Sequence, residues 1–599
     1  MTKRRHGSPG LARGFDRLAV PVRIVLAIAA VVLGIVVVLV EMPLPVLAIL
    51  SGIGIALIGA ATILDPARAP QHRIWARIAG AVLVLFGAVI ALWPSLGVPT
   101  LALLIGLGLI AYGAFTAVIS LRHDADNRVA GFLIGAASIV LGVLSFTWPV
   151  LTLVLFRIGF GAWLVFIGVQ LFLGILLRHR QRTLHAAGKP RKPWRRWLHT
   201  LGAATALIAV ILLAIGSHSI LAGDIRPAPG AFYAAPAEVP DEPGQLLRSE
   251  PLTVGVPHGA EAWKILYTTT HPDGFPAISS GVVIAPQDRT DDALPLLTIA
   301  HGTTGVVAKC APSLSPTPFA DGAGTALAEM VTEHGWAGVI SDYIGLGTEG
   351  THPYLVGDAE ARNVLDASRA AMQLNDLTLS TDTVVWGHSQ GGQAALWTGQ
   401  IAEDYAPEFT VKGIAAFAPA SDLYGLANAD KSEAAGKTVS SYIASAWNEI
   451  YPELELLTHL TPGSSSGVAE ISELCFNEKD ALSAILRGSQ VPNQIFPDSL
   501  LEGGLGDRLR ENSPTGPFPA PVMVAQGLAD PLVKPQLQGD WVSARCKAGE
   551  EIDFRTFPGL GHVDLVAADS PLTPQIVQWT LDRWEGAAPT PNCDDLPAT

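Results

Sequence analysis

At 599 residues the chain is too long for one ordinary domain, and 49% hydrophobic content beside 15% charged residues is more apolar than a wholly soluble protein carries. The formal charge of −14 is unevenly split: residues 1–222 hold 20 Lys and Arg against 5 Asp and Glu, whereas residues 223–599 hold 19 against 48. The basic excess lies between apolar runs with no groove-reading motif beside it, which argues against a nucleic-acid partner and for a basic membrane half followed by an acidic soluble half.

Residues 1–21 form a basic tail with Lys3, Arg4, Arg5, Arg13 and Arg17. Apolar runs of about 20 residues, the length that crosses a bilayer, then occur near 22–42, 44–64, 74–93, 99–121, 129–147, 150–177 and 197–221. They predict an all-α polytopic domain of seven helices. Lys and Arg concentrate in alternate connections: Arg68 and Arg73, Arg122 and Arg128, and eight between Arg178 and Arg196. With the basic connections inside, the amino terminus and the 178–196 loop are cytoplasmic, and all that follows the seventh helix (197–222) is extracytoplasmic. Arg157, the one charge well within a span, sits towards the outer end of a long run and reads as a snorkelling side chain.

An internal repeat runs through the first six helices, marked by Met42-Pro43, Trp93-Pro94 and Trp148-Pro149. Each is followed by a helix with paired glycines, Gly52 and Gly54, Gly106 and Gly108, Gly159 and Gly161. Three helical hairpins with small-residue faces for close approach are expected. Over residues 22–177 this triplicated pattern resembles the HdeD-like acid-resistance membrane family, a resemblance that implies no chemistry.

Residues 223–250 hold Pro227, Pro229, Pro236, Pro240 and Pro243 and read as an extended linker. Short apolar runs at 263–269, 281–285, 294–300, 337–341, 383–386, 414–418, 521–525 and 552–557 alternate with helical patterns, predicting a mostly parallel eight-stranded α/β sheet. Residues 424–513 are helical in pattern, broken by Pro452, Pro462 and Pro492, and read as a lid inserted into a core formed by 251–423 and 514–599.

Within that core, Gly387-His388-Ser389-Gln390-Gly391 lies between a strand pattern and a helix pattern. That is the setting of a nucleophile elbow, where glycines two residues either side of the serine avoid collision with the flanking backbone. Gly463-Ser464-Ser465-Ser466-Gly467 fits the same short pattern but follows Thr461-Pro462, with no strand entering and no strong helix leaving, so context selects Ser389. A serine hydroxyl needs a base, and the base an orienting acid. In the chain order Ser, acid, His, the candidates are Asp530, after the strand 521–525, and His562, after the strand 552–557. Asp422 and Asp564 are rivals for the acid; His388 and His301 read as packing residues. For the oxyanion, one donor is the Gln390 backbone N–H, and the glycine-rich turn His301-Gly302-Thr303-Thr304-Gly305 supplies the other, Thr303 ahead of Thr304. Cys310, Cys475, Cys546 and Cys593 all lie in the second half; in an oxidising compartment they pair in one of three ways, and their irregular spacing argues against zinc.

The turn just named with Cys310-Ala311-Pro312-Ser313, then Asp342-Tyr343-Ile344-Gly345-Leu346-Gly347, His352-Pro353-Tyr354, the elbow with Gly392, and Gly527-Leu528-Ala529-Asp530 together resemble the secretory lipase (lipase A-like) family of α/β hydrolases, over about residues 231–593. The resemblance implies an esterase or lipase with a helical lid, the triad Ser389, Asp530 and His562, and disulfides Cys310–Cys475 and Cys546–Cys593. The family is typically secreted free, whereas this chain carries seven apolar spans. The resulting expectation is a serine esterase or lipase in the cytoplasmic membrane, its hydrolase domain outside, acting on lipid or other hydrophobic esters with neither metal nor organic cofactor. An acyltransferase using the same acyl-enzyme, or a transport or stress-response protein with a sensing outer domain, are the alternatives.

Overall fold

Long runs of Leu, Ile, Val and Ala with small residues between them satisfy their backbone polar groups internally as helices, and the described apolar runs of the first half do so. The computed structural model describes residues 20–39, 73–121, 125–178, 194–224, 226–320 and 323–599, with isolated positions between 46 and 63. The chain divides into two units, 1–219 with 490–493, and 220–489 with 494–599. Helices run Val20–Leu39, Arg73–Leu92, Pro94–Ser120, Ala125–Thr147, Pro149–Arg178 and Trp194–Leu221. Among the described residues five contain stretches long and apolar enough to cross a membrane, and the apolar part of Arg73–Leu92 is the shorter Gly80–Leu92. The expected second span, 44–64, lies largely outside the described residues. Large apolar side chains face outward along these helices, Leu85 at 70% exposure and Phe115 at 64%.

The glycines bring helices together, but not as the second and third of the expected hairpins; the first lies largely outside the described residues. Pro94–Ser120 packs on Ala125–Thr147, and Val20–Leu39 packs on Pro149–Arg178. A Cβ on Gly113 would lie 2.5 Å from Gly135 O, and one on Gly34 2.6 Å from Gly161 O. Gly52 and Gly87 are equally close, at 2.6 Å. Gly108 and Gly159, each half of an expected pair, face open space. The reason lies at the prolines: Trp93 and Trp148 are single non-helical residues between consecutive helices, and one residue cannot reverse a chain into a tight antiparallel pair. Close pairing therefore forms across the repeat boundaries.

The second unit is built on one sheet of nine strands, not the eight expected. They are β1 (Leu246–Leu252), β2 (Ala260–Thr270), β3 (Pro276–Pro286), β4 (Leu294–Ala300), β5 (Ala337–Ser341), β6 (Leu379–His388), β7 (Thr410–Phe417), β8 (Val522–Gly527) and β9 (Ile552–Phe557), in the spatial order β1-β2-β3-β5-β4-β6-β7-β8-β9. The β1–β2, β2–β3 and β3–β5 pairs are antiparallel and the remainder parallel. The missed strand, β1, lies in part within the expected linker. Its sequence Leu-Leu-Arg-Ser-Glu-Pro-Leu has only a half-buried, polar pattern, and its proline is tolerated because the strand is at the sheet edge. Nor is the rest of that segment a free tether. Arg226 pairs with Asp480 (Nε to Oδ2 3.2 Å), and Tyr233 OH bonds Ser313 Oγ at 2.9 Å.

Parallel strands covered on both faces need continuous apolar sequence, and Val384, Val385 and Trp386 of β6 are all fully buried. Register sets Gly387 beside Ala300 of β4 on one side and Ala416 of β7 on the other, so the carboxyl end of β6 is at the centre of the sheet. Between β7 and β8 comes an all-helical insertion: Leu423–Asp430, Ala434–Ile450, Ser465–Ser472, Glu478–Gln490, Asp498–Leu501 and Gly504–Glu511. Disulfides join Cys310 to Cys475 and Cys546 to Cys593. Trp386 packs in the core, its Nε1–H donating to Thr580 Oγ1 at 3.0 Å. Trp386→Ala should therefore cost about 3–5 kcal/mol, read as a lowered denaturant midpoint for the sheet unit.

Candidate active site

Steric crowding dictates the turn after β6. Ser389 has φ 59° and ψ −120°, a positive-φ conformation that non-glycine residues rarely adopt. A Cβ on Gly387 would overlap Gly391 O, and one on Gly391 would overlap Ala300 O; Gly392 lies against Pro419, where a Cβ would come within 2.8 Å of its ring. The turn is held by Ser389 N–H donating to Phe417 O at 2.9 Å and by Ser389 O accepting from Ala420 N–H at 3.1 Å. Helix Gln390–Tyr405 starts at once behind it. The decoy Ser465 differs from expectation in one respect, since it opens the helix Ser465–Ser472; it is preceded by loop and not by a strand.

Asp530 and His562 come together from the loops after β8 and β9. Asp530 Oδ2 lies 2.7 Å from His562 Nδ1, with Asp530 4% and His562 7% exposed. Asp530 Oδ1 accepts from Leu532 N–H at 2.8 Å and Val533 N–H at 2.9 Å, and Gln526 Nε2 donates to Oδ2 at 3.3 Å. Those donors fix the carboxylate so that its remaining lone pairs face the imidazole. The rivals are occupied elsewhere: Asp422 caps the helix Leu423–Asp430 through Gly425 N–H at 2.9 Å, and Asp564 accepts from Gly561 N–H at 3.2 Å. His388 Nε2–H donates to the His562 carbonyl at 3.0 Å with the rings 4.7 Å apart, and burial followed by the neighbouring imidazole pushes its pKa down to about 3. Neutral His388 thus braces the backbone of His562. Among the described residues Ser389 Oγ has no hydrogen-bond partner, and in hydrolases such catalytic hydrogen bonds are often long before substrate binds and tighten afterwards.

The turn after β4 sits against the elbow. A Cβ on Gly302 would come within 3.2 Å of His388 O and 3.7 Å of Ser389 Cβ. Among the described residues neither Thr303 N–H nor Gln390 N–H has an acceptor. Thr303 Oγ1 is 3.0 Å from Tyr354 OH, whereas Thr304 is buried with its carbonyl accepting from Phe476 N–H at 2.7 Å. Cys475, next to Phe476, closes the disulfide to Cys310, so the insertion is stapled beside this turn. An apolar cavity of about 90 Å³ opens on Ser389, Thr303 and Gln390 and runs between Leu423, Val439 and Ile443.

Behind the elbow lies a group of buried polar residues whose roles the sequence did not suggest. Gln390 Nε2 donates to Glu360 Oε1 at 2.6 Å and is 3.1 Å from His352 Nε2; Glu360 Oε1 also accepts from Leu355 N–H at 2.8 Å. Burial drives the Glu360 carboxyl up to about 8 and His352 down to about 3, so the 4.0 Å approach of the two is between neutral groups and is not an ion pair. Glu360 was hidden because it shares the first turn of helix Gly357–Ala371 with Asp358, where acidic residues are ordinary on a solvated face. His352 entered the sequence reading only as part of a family pattern.

With this geometry in place, relatives bear on the chemistry. Residues 319–592 match the Secretory lipase family model. The matched segment includes Ser389, Asp530 and His562 and covers just under half of the chain. A protein described as a probable inactive lipase of Mycobacterium tuberculosis is 25% identical over 390 residues, 60% of this chain and 83% of that one. A secreted triacylglycerol lipase of Malassezia globosa is 23% identical over 378 residues, 59% of this chain and 80% of that one. The crystal structure of Candida antarctica lipase A in its closed state superposes with a TM-score of 0.51 at 17% identity, covering 62% of this chain and 90% of that one, which shows a shared fold. The family match and the lipase relatives support carboxylic ester hydrolase activity. Since the elbow has no room for a methyl group on Gly391, Gly391→Ala should abolish esterase activity; chromogenic ester turnover together with circular dichroism will distinguish a displaced Ser389 from loss of the fold.

Proposed function

We propose that this chain is a membrane-anchored, extracytoplasmic serine esterase or lipase that cleaves hydrophobic carboxylic esters through an acyl-enzyme on Ser389. The reading rests above all on the His562–Asp530 pair, 2.7 Å apart, converging from two strand-end loops on the sheet end where the elbow presents Ser389. Ser389 Oγ attacks the ester carbonyl carbon while His562 Nε2 takes its proton, and Asp530 holds the imidazole in the required tautomer. The N–H groups of Gln390 and Thr303 receive the oxyanion. Collapse breaks the bond to the alcohol, which leaves with the proton from His562; water then attacks the acyl-enzyme by the same route, releasing the acid.

Leu423, Leu426, Val439, Ile443 and Leu509 in the cavity wall suit an acyl chain, while the Asp430 carboxyl in the same wall is paired with Lys534 at 3.0 Å; the helical insertion that supplies these wall residues acts as the lid. The apolar helices, the alternating basic connections and the two disulfides favour an anchor in the cytoplasmic membrane with the hydrolase outside. The resemblance of residues 22–177 to HdeD-like proteins is consistent with an anchor of three repeats. One relative is described as a probable inactive lipase; here serine, acid and histidine are all present, with acid and histidine 2.7 Å apart, which favours an active enzyme. Ser389→Ala in the full-length chain in detergent should lower p-nitrophenyl butyrate hydrolysis by roughly 10⁴-fold or more. A fluorophosphonate probe should label the wild type and not the variant; undiminished turnover by the variant would place the nucleophile elsewhere.

A further inference from the structure

We propose that Glu360 is a positioning residue for ester hydrolysis, acting through the Gln390 side chain on the oxyanion donor and doing so only while it is uncharged. The inference rests on the assignment of Ser389 as nucleophile and of the Gln390 N–H as a donor. Gln390 links two places: its backbone N–H, directly after Ser389, has no acceptor among the described residues, and its side-chain amide is held by Glu360 Oε1 at 2.6 Å. Gln390 is 1% exposed and Glu360 is wholly buried, so the pair has no water to soften a change of charge.

The surroundings of the carboxyl suit an acid and not a carboxylate. Oε1 accepts from Gln390 Nε2 and Leu355 N–H, but Oε2 is buried without a partner, and among the described residues no lysine or arginine pairs with the group. The titratable side chains that face it are His352, with Nε2 4.0 Å away, and the phenols of Tyr343 and Tyr354; burial keeps the imidazole neutral and raises both phenols. Gln390 Oε1 is likewise buried and unpartnered. A negative charge arising here would lie behind the donor that must receive a second negative charge in the transition state, and the two would repel through a medium of low dielectric constant. Because burial lifts the carboxyl to about 8, it is neutral below that pH and charged above it; transition-state stabilisation is therefore present at neutral pH and lost on the alkaline side.

The test is the pH profile of kcat/KM for p-nitrophenyl butyrate, pH 6 to 10, with full-length protein in detergent. Wild type should fall about 10-fold between pH 7 and pH 10, as expected for a like charge behind the oxyanion. Glu360→Gln, which keeps an acceptor for Gln390 but cannot ionise, should hold its plateau to pH 10. Glu360→Met, which removes both the ionisable group and the acceptor of the Gln390 amide, should also lose the alkaline fall, but from a pH 7 plateau lower than that of the wild type, as a positioning role requires. A wild-type profile without an alkaline fall, or the same fall in either variant, would overturn the proposal. Failure of both variants to fold would assign Glu360 to the fold alone, which also overturns it. Fluorophosphonate labelling of Ser389 at pH 7, measured first on the wild type, separates an error in the nucleophile from an error in Glu360.

Discussion

The arrangement of the hydrolase unit depends on backbone crowding at one turn. At the end of β6 the chain must leave the centre of a parallel sheet and enter a helix without an intervening loop. The carbonyls of Gly391 and Ala300 occupy the space in which side chains at 387 and 391 would stand. Ser389 takes up the resulting strain as a positive φ, and its neighbours on β4, β7 and the turn at Gly302 are fixed by the same contacts. A serine on a rigid, over-determined turn pays little to be presented to substrate, because the scaffold has already met the conformational cost.

Around that turn the side chains divide by charge. Asp530 is surrounded by N–H donors that direct it at His562, whereas Glu360, equally buried, faces an amide on one oxygen and nothing on the other. Two carboxyls a few residues' reach from one serine thus have opposite environments, the situation that separates acid and base roles in hydrolases generally. His388 and His352 are both kept neutral by burial and serve as hydrogen-bonding spacers, one bracing His562 and one next to Gln390.

Much of this was legible in sequence because the determinants are local. The elbow is spelled by Gly387 and Gly391 on either side of Ser389, and the acid follows the apolar run that opens β8, the histidine the alternating strand β9. Three things were not legible. β1 was lost because an edge strand needs no apolar run, and its first five residues fall within the proline-rich segment 223–250 read as linker. Glu360 looked like a solvated helix residue, since burial of its face depends on helix Gln390–Tyr405 and the Tyr354 loop, both distant in sequence. The glycine pairs of the first half pointed to close approach but not to partners: Gly113 meets Gly135, and Gly34 meets Gly161 across more than 120 positions. Choosing the partner requires knowing that a single residue at Trp93 or Trp148 cannot turn the chain.

The staple between Cys310 and Cys475 divides the helical insertion between β7 and β8 into two parts, each fixed at both ends: 423–474 between the sheet and the staple, and 476–511 between the staple and the sheet. The covering is thus tied down at its middle as well as at its ends, and the middle tie lies beside the turn that carries Thr303. Widening the cavity would thus leave the disulfide beside the Thr303 turn in place while Leu423, Leu426 and Ile443 withdraw.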